Sequence, residues 1–259
     1  MISEKIQRLL ATDASGARIA DVRIGLGYTA VLLKSGAAGV AYTLREDLRP
    51  GCSPFSGKRP LAGQNAVELL SLLESEDPLE RAVGLATANA LACGRGFGTF
   101  SEGDILDALA LRPEDRVGMV GYFGPLIAPL RARVASLTIF ERTPERGADL
   151  QPPERALDLL PECSVALITS SALLTGTLDP LLQAAARCRE IALLGPSTPL
   201  IPQAFADTGV TCLSGLVITD AAEVLRVVSE GGGTREFSRF TRKVNLQIVG
   251  GALGGDLIL

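Results

Sequence analysis

The sequence predicts an α/β protein: a small α+β domain in residues 1–95, a parallel-sheet domain in residues 96–245 and an apolar tail in residues 246–259. Two observations predict this order. In the first region strand-like segments precede helical ones, whereas in the second region short apolar strands alternate with helices. A length of 259 residues, with 47% hydrophobic and 21% charged side chains, suits one large or two modest folded domains.

The first region begins with an amphipathic helix, whose apolar stripe is made of Ile2, Ile6, Leu9 and Leu10. Three strand-like runs follow, at Ile19–Ile24, Tyr28–Leu33 and Val40–Leu44. Their short connections predict an antiparallel meander. After a loop rich in Pro and Gly at residues 49–60, two helices are predicted, at Asn65–Leu73 and Pro78–Ala92. Asp77 is the expected N-cap of the second helix, with Pro78 in its first turn.

The second region contains five short apolar runs that we interpret as strands, at Arg116–Val120, Ser136–Phe140, Val165–Ile168, Ile191–Leu194 and Val210–Leu213. Helical segments separate or follow them, at Leu126–Val134, Pro153–Leu160, Leu178–Cys188, Pro199–Asp207 and Ala221–Ser229. This alternation predicts right-handed βαβ crossovers on a parallel sheet that is covered on both faces. Ligands of such sheets bind at the carboxyl ends of the strands, so the loops that follow the strands are the candidate site.

Composition excludes several functions. The chain has no histidine, which rules out a Ser-His-Asp hydrolase and a zinc enzyme with His ligands. No apolar run approaches the roughly 18 residues that cross a bilayer, and a net charge of −4 without basic clusters does not suit a duplex DNA binder. Five cysteines lack a C-x-x-C pair and are expected to be buried thiols in a reducing compartment: Cys52, Cys93, Cys163, Cys188 and Cys212. We expect a cytoplasmic protein.

The loop after the first parallel strand has the spacing Gly-x-x-Gly-x-x-Gly and continues through Gly121, Tyr122, Phe123 and Gly124. It provides a tight turn at a helix start, where free N–H groups attract anions, although such glycines also serve packing alone. Glu141 ends the second strand, 20 positions after Gly121. Dinucleotide-binding folds place the carboxylate that holds the ribose at this spacing, but a strand-end Glu is also often only solvated.

The loop after the third strand carries five hydroxyl groups and a glycine, at Thr169, Ser170, Ser171, Thr175, Gly176 and Thr177. Capping of the next helix by Thr177 explains one or two of the hydroxyls, and ligand contact is predicted for the others. The fourth strand is followed by a stiff turn made of Gly195, Pro196, Ser197 and Thr198. Ser197 or Thr198 is expected to cap a helix, and such a turn suits a phosphate, a carboxylate or a chelated oxyanion.

Asn89 lies in an otherwise apolar helix and needs a partner if it is buried, so it is a candidate for the cleft between the domains. The site prediction depends on one geometric expectation. Tyr122, Ser171 and Ser197 should converge along a single rim beneath the N-terminal domain.

Four segments together resemble a family of two-domain bacterial and archaeal proteins that is named for heavy-metal chelation. They are Asp21-Val22-Arg23-Ile24-Gly25-Leu26-Gly27-Tyr28-Thr29-Ala30-Val31, Val117–Phe123, Thr169–Thr177 and Leu194-Gly195-Pro196-Ser197-Thr198-Pro199-Leu200. The resemblance implies a domain like the N-terminal domain of enolase, followed by a Rossmann-like domain, with a pocket between them. Similar proteins have Asn where this chain has Thr175. The resemblance does not bring enolase chemistry, because the barrel that performs it is missing here.

Two functions follow from these features. The first is binding or processing of a small anionic or metal-chelating molecule in the cleft, with a metal held by oxygen ligands or already complexed. The alternative is an enzyme that uses an adenine nucleotide or S-adenosylmethionine, with Glu141 on the ribose. The expected partner is a small molecule, with no nucleic acid and no membrane. The metal, the cofactor, any catalytic residue and a homo-oligomeric state are left open.

Overall fold

The computed structural model describes residues 1–47, 55–93, 95, 100–147 and 149–248. Cys52, much of the loop at residues 49–60 and the tail from residue 249 onward lie outside the described residues. So do the residues on either side of residue 95, where the sequence places a domain boundary, and the division into domains stays a prediction.

The α-helices are α1 (Ile2–Gly16), α2 (Ala66–Leu70), α3 (Pro78–Cys93), α4 (Ile105–Ala108), α5 (Gly124–Arg131), α6 (Ala156–Leu159), α7 (Ala172–Thr175), α8 (Leu178–Ala184), α9 (Ala221–Ser229) and α10 (Thr234–Phe237). The strands are β1 (Ile19–Ile24), β2 (Tyr28–Leu33), β3 (Ala38–Tyr42), β4 (Ser101–Glu102), β5 (Arg116–Val120), β6 (Ser136–Phe140), β7 (Leu150–Gln151), β8 (Val165–Thr169), β9 (Glu190–Leu194), β10 (Cys212–Ile218) and β11 (Thr241–Gln247). The chain is therefore an α/β protein, as predicted.

The N-terminal sheet is an antiparallel meander in the order β1-β2-β3, which confirms the predicted arrangement. Helix α3 packs on one face of it, and α9, which comes from the far end of the chain, packs on the other. At Gly25 this second contact is so close that a Cβ atom would lie 2.1 Å from the carbonyl oxygen of Val228. The N-terminal sheet is thus built into the rest of the molecule. One hydrophobic cluster also runs through both regions, including Leu85, Leu173 and Phe205.

The large sheet has eight strands in the order β4-β11-β10-β9-β8-β5-β6-β7. The strands from β10 to β7 in this order are parallel, whereas β11 and β4 are antiparallel additions at one edge that the sequence did not predict. The direction in which successive strands are added reverses between β5 and β8. This pair is therefore the switch point, where open α/β sheets bind their ligands.

Several predicted helices differ from the observed ones. The predicted helix Pro199–Asp207 is wrong: the segment forms only a 3-10 turn at Pro202–Ala204, because Pro199 and Pro202 lack the N–H donors that a helix needs. The predicted helix Leu178–Cys188 ends at Ala184. The expected cap of α3 is confirmed, since Asp77 Oδ1 accepts a hydrogen bond of 2.8 Å from the Leu79 N–H.

The amino edge of the large sheet holds a buried and fully paired carboxylate, Asp115, which is 2% exposed. It accepts hydrogen bonds from Ser164 Oγ (2.7 Å), from the Arg112 N–H (2.7 Å) and from Arg189 Nη2 (2.8 and 3.1 Å). Burial alone would raise the pKa of Asp115, but these donors and the Arg189 charge outweigh it and lower the pKa. This network joins β5, β8 and β9 where the three strands begin.

Among the four described cysteines, the predicted burial is correct for Cys212 only. Cys163 and Cys188 are half-buried, and Cys93 is exposed because it ends α3 at the surface. Among the residues that the structure covers, no helix is long and apolar enough to cross a membrane.

Candidate functional site

The exits of β9, β8, β5 and β6 lie side by side along the carboxyl edge of the large sheet. Gly195 lies against Ser170, since a Cβ atom there would be 3.2 Å from Ser170 Oγ. Gly121, with a φ of 93°, lies in the same way against Thr169, at 3.0 Å from its Cβ. These contacts join the three loops after β9, β8 and β5 into one surface.

The segment at residues 42–47, which we call the strap, crosses above these exits. At one end the Tyr42 N–H donates a hydrogen bond of 2.8 Å to Ser197 Oγ, after β9. At the other end Asp47 forms a bidentate pair with Arg142, after β6, at 2.7 and 2.8 Å. Strands β9 and β6 are three positions apart, or about 14 Å. The strap therefore spans the exits of β8 and β5, and we call the region between the strap and these exits, at the switch point, the crevice.

Tyr42 is surrounded by charges from both sides of the crevice. Burial of the ring and the carboxylate of Glu46 raise the pKa of its phenol, whereas Arg146 and Arg45 oppose this rise. The phenol is therefore protonated near neutral pH and can donate a hydrogen bond. The arginines are held loosely: Arg45 Nε lies 3.3 Å from Glu46 and Arg146 Nη1 lies 3.4 Å from Glu141.

Tyr122, after β5, lies between two glycines. A Cβ atom at Gly124 would be 3.2 Å from its ring, and one at Gly147 would be 3.6 Å from the opposite edge. Gly147 directly follows Arg146, so Tyr122 belongs to the β6 side of the crevice. Phe123 beside it is half-buried and packs against the apolar core of the sheet.

Glu141 has a different environment from that of a ribose-binding carboxylate. Its side chain is only 9% exposed, Oε1 accepts a hydrogen bond of 3.0 Å from the Thr143 N–H, and Oε2 faces Arg146. Both oxygens of the Glu141 carboxylate thus contact groups of its own loop.

The glycine turn that precedes α5 presents few donors. Pro125 has no N–H group, and the Leu126 N–H is bonded to the Phe123 carbonyl at 2.8 Å. The first glycine of the motif, Gly118, serves packing, because a Cβ atom there would be 2.6 Å from Leu160. The motif offers less to an anion than its spacing suggests.

The hydroxyl groups of the predicted loop Thr169–Thr177 fall into two sets. Thr169 and Ser171 bond to each other at 2.9 Å at the β8 exit, and Ser170 next to them is buried. Thr175, at the end of α7, and Gly176 and Thr177 after it are exposed, and the hydroxyls of Thr175 and Thr177 bond at 2.7 Å. Thr177 precedes α8 but its side chain makes no cap bond, so that prediction is wrong.

The second set lies away from Asn89. Arg81, near the start of α3, donates a hydrogen bond of 2.9 Å to the Leu174 carbonyl, which fixes the end of α7 at that point of the helix. Asn89 follows eight residues later, or about 12 Å further along α3. Thr175, Gly176 and Thr177 are thus not brought together with the residues of the fourth exit.

The fourth exit is a junction between the two regions. Ser197 is 2% exposed and holds Tyr42, and Asn89 Nδ2 donates hydrogen bonds to the Val40 carbonyl (2.8 Å) and the Ser197 carbonyl (3.2 Å). The prediction that Ser197 or Thr198 caps a helix is wrong, because the segment directly after them forms only the 3-10 turn at Pro202–Ala204. Asn89 does lie between the regions, where it bridges α3, β3 and the β9 loop.

A cavity of about 80 Å³ lies behind this junction. Its walls come from both regions and are mostly apolar, and they include Gly39, Val40, Asn89, Pro196, Thr198 and Leu216. Two polar atoms of these residues, Asn89 Oδ1 and Thr198 Oγ1, are buried and have no hydrogen-bond partner within the described part of the chain. We call it the Asn89 cavity.

The described residues do not fit a heavy-metal ion bound directly by the protein. No group of three or more His, Cys, Asp or Glu side chains among them is arranged to hold a metal. Burial also raises the pKa of the Cys188 and Cys212 thiols to about 12, which disfavours the thiolates that soft metals require.

Comparison with known proteins identifies the class to which this fold and cleft belong. Two family models match the chain, both described as "Putative heavy-metal chelation", one over residues 7–92 and the other, named DUF364, over residues 104–247. The chain therefore belongs to this heavy-metal chelation family.

Three relatives are similar to the chain over nearly all of its length. An uncharacterised protein of Methanocaldococcus jannaschii is 26% identical, with 95% of this chain and 96% of that protein covered. A crystal structure of a DUF364 protein of unknown function from Pyrococcus horikoshii has a TM-score of 0.85 at 23% identity, covering 95% and 100% of the two chains. One from Desulfitobacterium hafniense has a TM-score of 0.78 at 23% identity, covering 94% and 98%. The two structures support the fold.

Three residues of the crevice were not predicted from the sequence: Tyr42, Arg45 and Arg146. Tyr42 ends a strand, and Arg45 and Arg146 lie in loops rich in charge, so nothing in their local pattern distinguishes them. The contact between Tyr42 and Ser197, 155 positions apart, is what reveals the strap.

Proposed function

We propose that the chain binds a small anionic or metal-chelating molecule in the crevice beneath the strap. One observation carries the proposal: the strap is tied down at Ser197 and at Arg142, on either side of the switch point. A ligand site that is open at the switch point of other sheets would here be covered by residues of the N-terminal region. The family description supports chelation as the general theme, and the ligand is our proposal.

The charges of the crevice suit an oxyanion. Arg45 and Arg146 are about half-exposed, with 61% and 49% of their side chains accessible, and each has a single long contact to a carboxylate. The pair of Arg45 with Glu46 is exposed on both sides and contributes little to stability, so an incoming anion can replace Glu46 at small cost. The Glu141 side chain is only 9% exposed, so Arg146 would keep this contact and bind the anion with its other N–H donors. The Tyr42 phenol and the hydroxyls of Thr169 and Ser171 add neutral donors for the remaining oxygens.

A metal would enter this site already complexed. The described residues lack a set of ligands for a bare ion, so the oxygens of a small chelator would have to supply the coordination. The protein would then recognise the chelator and its negative charge.

The alternative, an enzyme that uses a nucleotide or S-adenosylmethionine, receives less support. Glu141, the expected ribose ligand, is bonded to Thr143 N–H and faces Arg146. The turn before α5 also offers fewer N–H groups to a pyrophosphate than its spacing suggests, because Pro125 has none and that of Leu126 is bonded to Phe123. We therefore keep the first function.

Thermal-shift and calorimetric titrations test the proposal, with citrate, nickel citrate, nickel chloride and S-adenosylmethionine as the added compounds. We expect citrate or nickel citrate to raise the Tm of the wild-type protein. Arg146→Gln should weaken this binding by about tenfold, because one charge-assisted hydrogen bond contributes roughly 1.5 kcal/mol. Arg155→Gln is the matched control: Arg155 is similarly exposed, with a long contact of 3.6 Å to Asp158 outside the crevice, and its loss should leave binding unchanged.

Three results would contradict the proposal. Nickel chloride alone could bind as well as nickel citrate, with no effect of Arg146→Gln, which would indicate a direct metal site. S-adenosylmethionine could be the only compound that binds, which would favour the alternative. Equal losses in both arginine variants would show that the anion binds unspecifically.

A further inference from the structure

The Asn89 cavity is separate from the crevice. The hydrogen bonds that Ser197 makes with Tyr42 and with Asn89 lie between the two spaces. The cavity walls also differ in chemistry, since its described lining residues carry no charged side chain. The ligand of the Asn89 cavity can therefore differ in chemistry from the ligand of the crevice.

The orientation of the Asn89 amide is fixed by its neighbours. Both donors of Nδ2 are used by carbonyl groups, one of Val40 and one of Ser197. Turning the amide over would bring Oδ1 against these two carbonyl oxygens. The oxygen is thus held on the other side, as an acceptor without a donor.

Thr198 contributes a second unmet group. The residue is 3% exposed, it lines the same cavity, and Oγ1 has no partner. Leaving a buried acceptor or hydroxyl unpaired is unfavourable, so two such groups on residues that line one cavity point to an occupant that pairs with them. Both oxygen atoms are enclosed in this structure, so a bound molecule reaches them only if the side chains around them move.

We propose that the Asn89 cavity binds a small uncharged molecule, or an uncharged arm of a larger one, that carries an N–H or O–H donor next to an apolar surface. The donor bonds to Asn89 Oδ1, and Thr198 Oγ1 bonds to the same molecule. The absence of charged side chains from the described walls disfavours an ion, and a volume of about 80 Å³ excludes an intact nucleotide while holding a group of about four non-hydrogen atoms.

Acetamide and acetone are matched compounds for the test, because both have four non-hydrogen atoms and only acetamide has N–H donors. NMR titration of the whole protein would follow the Asn89 side-chain amide and the Thr198 methyl group. We expect saturable shifts of both signals, with acetamide binding about five- to tenfold more tightly than acetone. A crystal soaked in acetamide should show it between Asn89 and Thr198.

Variants separate this site from unspecific binding. Thr198→Val keeps the shape and should weaken acetamide binding severalfold, whereas Thr198→Ser keeps the hydroxyl and should preserve it. Thr87→Val is the control, because Thr87 is also buried but already bonds to the Val83 carbonyl of its own helix at 2.8 Å. Shifts without saturation, equal affinity for acetone, unchanged binding in Thr198→Val, or a cavity that holds only water in the soaked crystal would each overturn the proposal. None of these results bears on the crevice.

Discussion

Buried polar groups at the two edges of the large sheet differ in their hydrogen bonding. At the amino edge Asp115 is buried and accepts hydrogen bonds from Arg112, Ser164 and Arg189, so the carboxylate is satisfied by the protein itself. At the carboxyl edge Asn89 Oδ1 and Thr198 Oγ1 are buried without partners, and Arg45 and Arg146 keep only long contacts.

The difference separates residues that stabilise the fold from residues that are available to a ligand. A fully paired polar network contributes to stability when it forms and is costly to break, whereas unpaired groups cost stability until a ligand binds them. Sequence patterns do not reveal which case applies, since both edges are rich in polar side chains. The following predictions test the comparison, from the largest expected effect to the smallest.

Asp115→Asn should lower the free energy of unfolding by about 3 kcal/mol, because it removes the charge that Arg189 and Ser164 surround. Chemical denaturation monitored by circular dichroism measures this. Glu162→Gln is the control on the same edge, since its pair with Arg116 is exposed and should matter by less than about 1 kcal/mol. Equal losses in both variants would mean that burial does not distinguish the amino edge.

Ser197→Ala should cost about 1–2 kcal/mol, because the Tyr42 N–H loses its acceptor and the strap loses one of its two ties. The same denaturation experiment applies, and citrate binding should weaken as well. Ser238→Ala removes an exposed hydroxyl that bonds only to the Arg235 carbonyl, and it should change neither property. A Ser197→Ala protein with unchanged stability and binding would show that the strap is held by other contacts.

Thr198→Val should stabilise the ligand-free protein by up to about 1 kcal/mol, which corresponds to a rise in Tm of roughly 2–4 °C, because it removes a buried hydroxyl without a partner. Differential scanning calorimetry measures this shift. A decrease would show that the hydroxyl is already bonded in the purified protein, and the contrast with the amino edge would then disappear.

Acidification should have the smallest effect on the free energy of unfolding, because this effect is absent at neutral pH. The pKa of Asp115 and the pKa of Asp47 are lower in the folded protein than their ordinary value of 3.8. Stability from a lowered pKa is complete above the unfolded value and is lost as the pH falls through the folded one. We expect the free energy of unfolding to fall below about pH 4, and Asp115→Asn should make this fall shallower. An identical acid profile in the variant would contradict the assignment.

Local patterns were sufficient for most of the framework. Five of the six parallel strands are short apolar runs bounded by turns, and the meander has short connections, so both could be predicted from neighbouring residues, whereas the two-residue strand β7 was missed. Strand β11 was missed, although Val244-Asn245-Leu246-Gln247 alternates apolar and polar residues, because residues 246–259 are predicted as an apolar tail. The helix predicted at Pro199–Asp207 does not form, because Pro199 and Pro202 have no N–H group to donate to a helical hydrogen bond.

The candidate site was predicted only as a set of loops. The expectation that Tyr122, Ser171 and Ser197 share one edge follows from the rule that parallel strands end together. The position of the strap over that edge does not follow from this rule. It depends on contacts of Tyr42 and Asp47 with residues that are 155 and 95 positions away in the chain. The involvement of Arg45 and Arg146 depends on the same contacts.

The sequence by itself determined that this protein is α/β, that its meander precedes a parallel sheet, and that polar loops gather at the strand exits, because these properties arise from the periodicity of neighbouring side chains. Only the tertiary structure decided that α9 returns to cover the N-terminal sheet, that the strap crosses the switch point, and that Asn89 and Thr198 remain unpaired. These properties depend on contacts between residues far apart in the chain, whose partners no local pattern specifies.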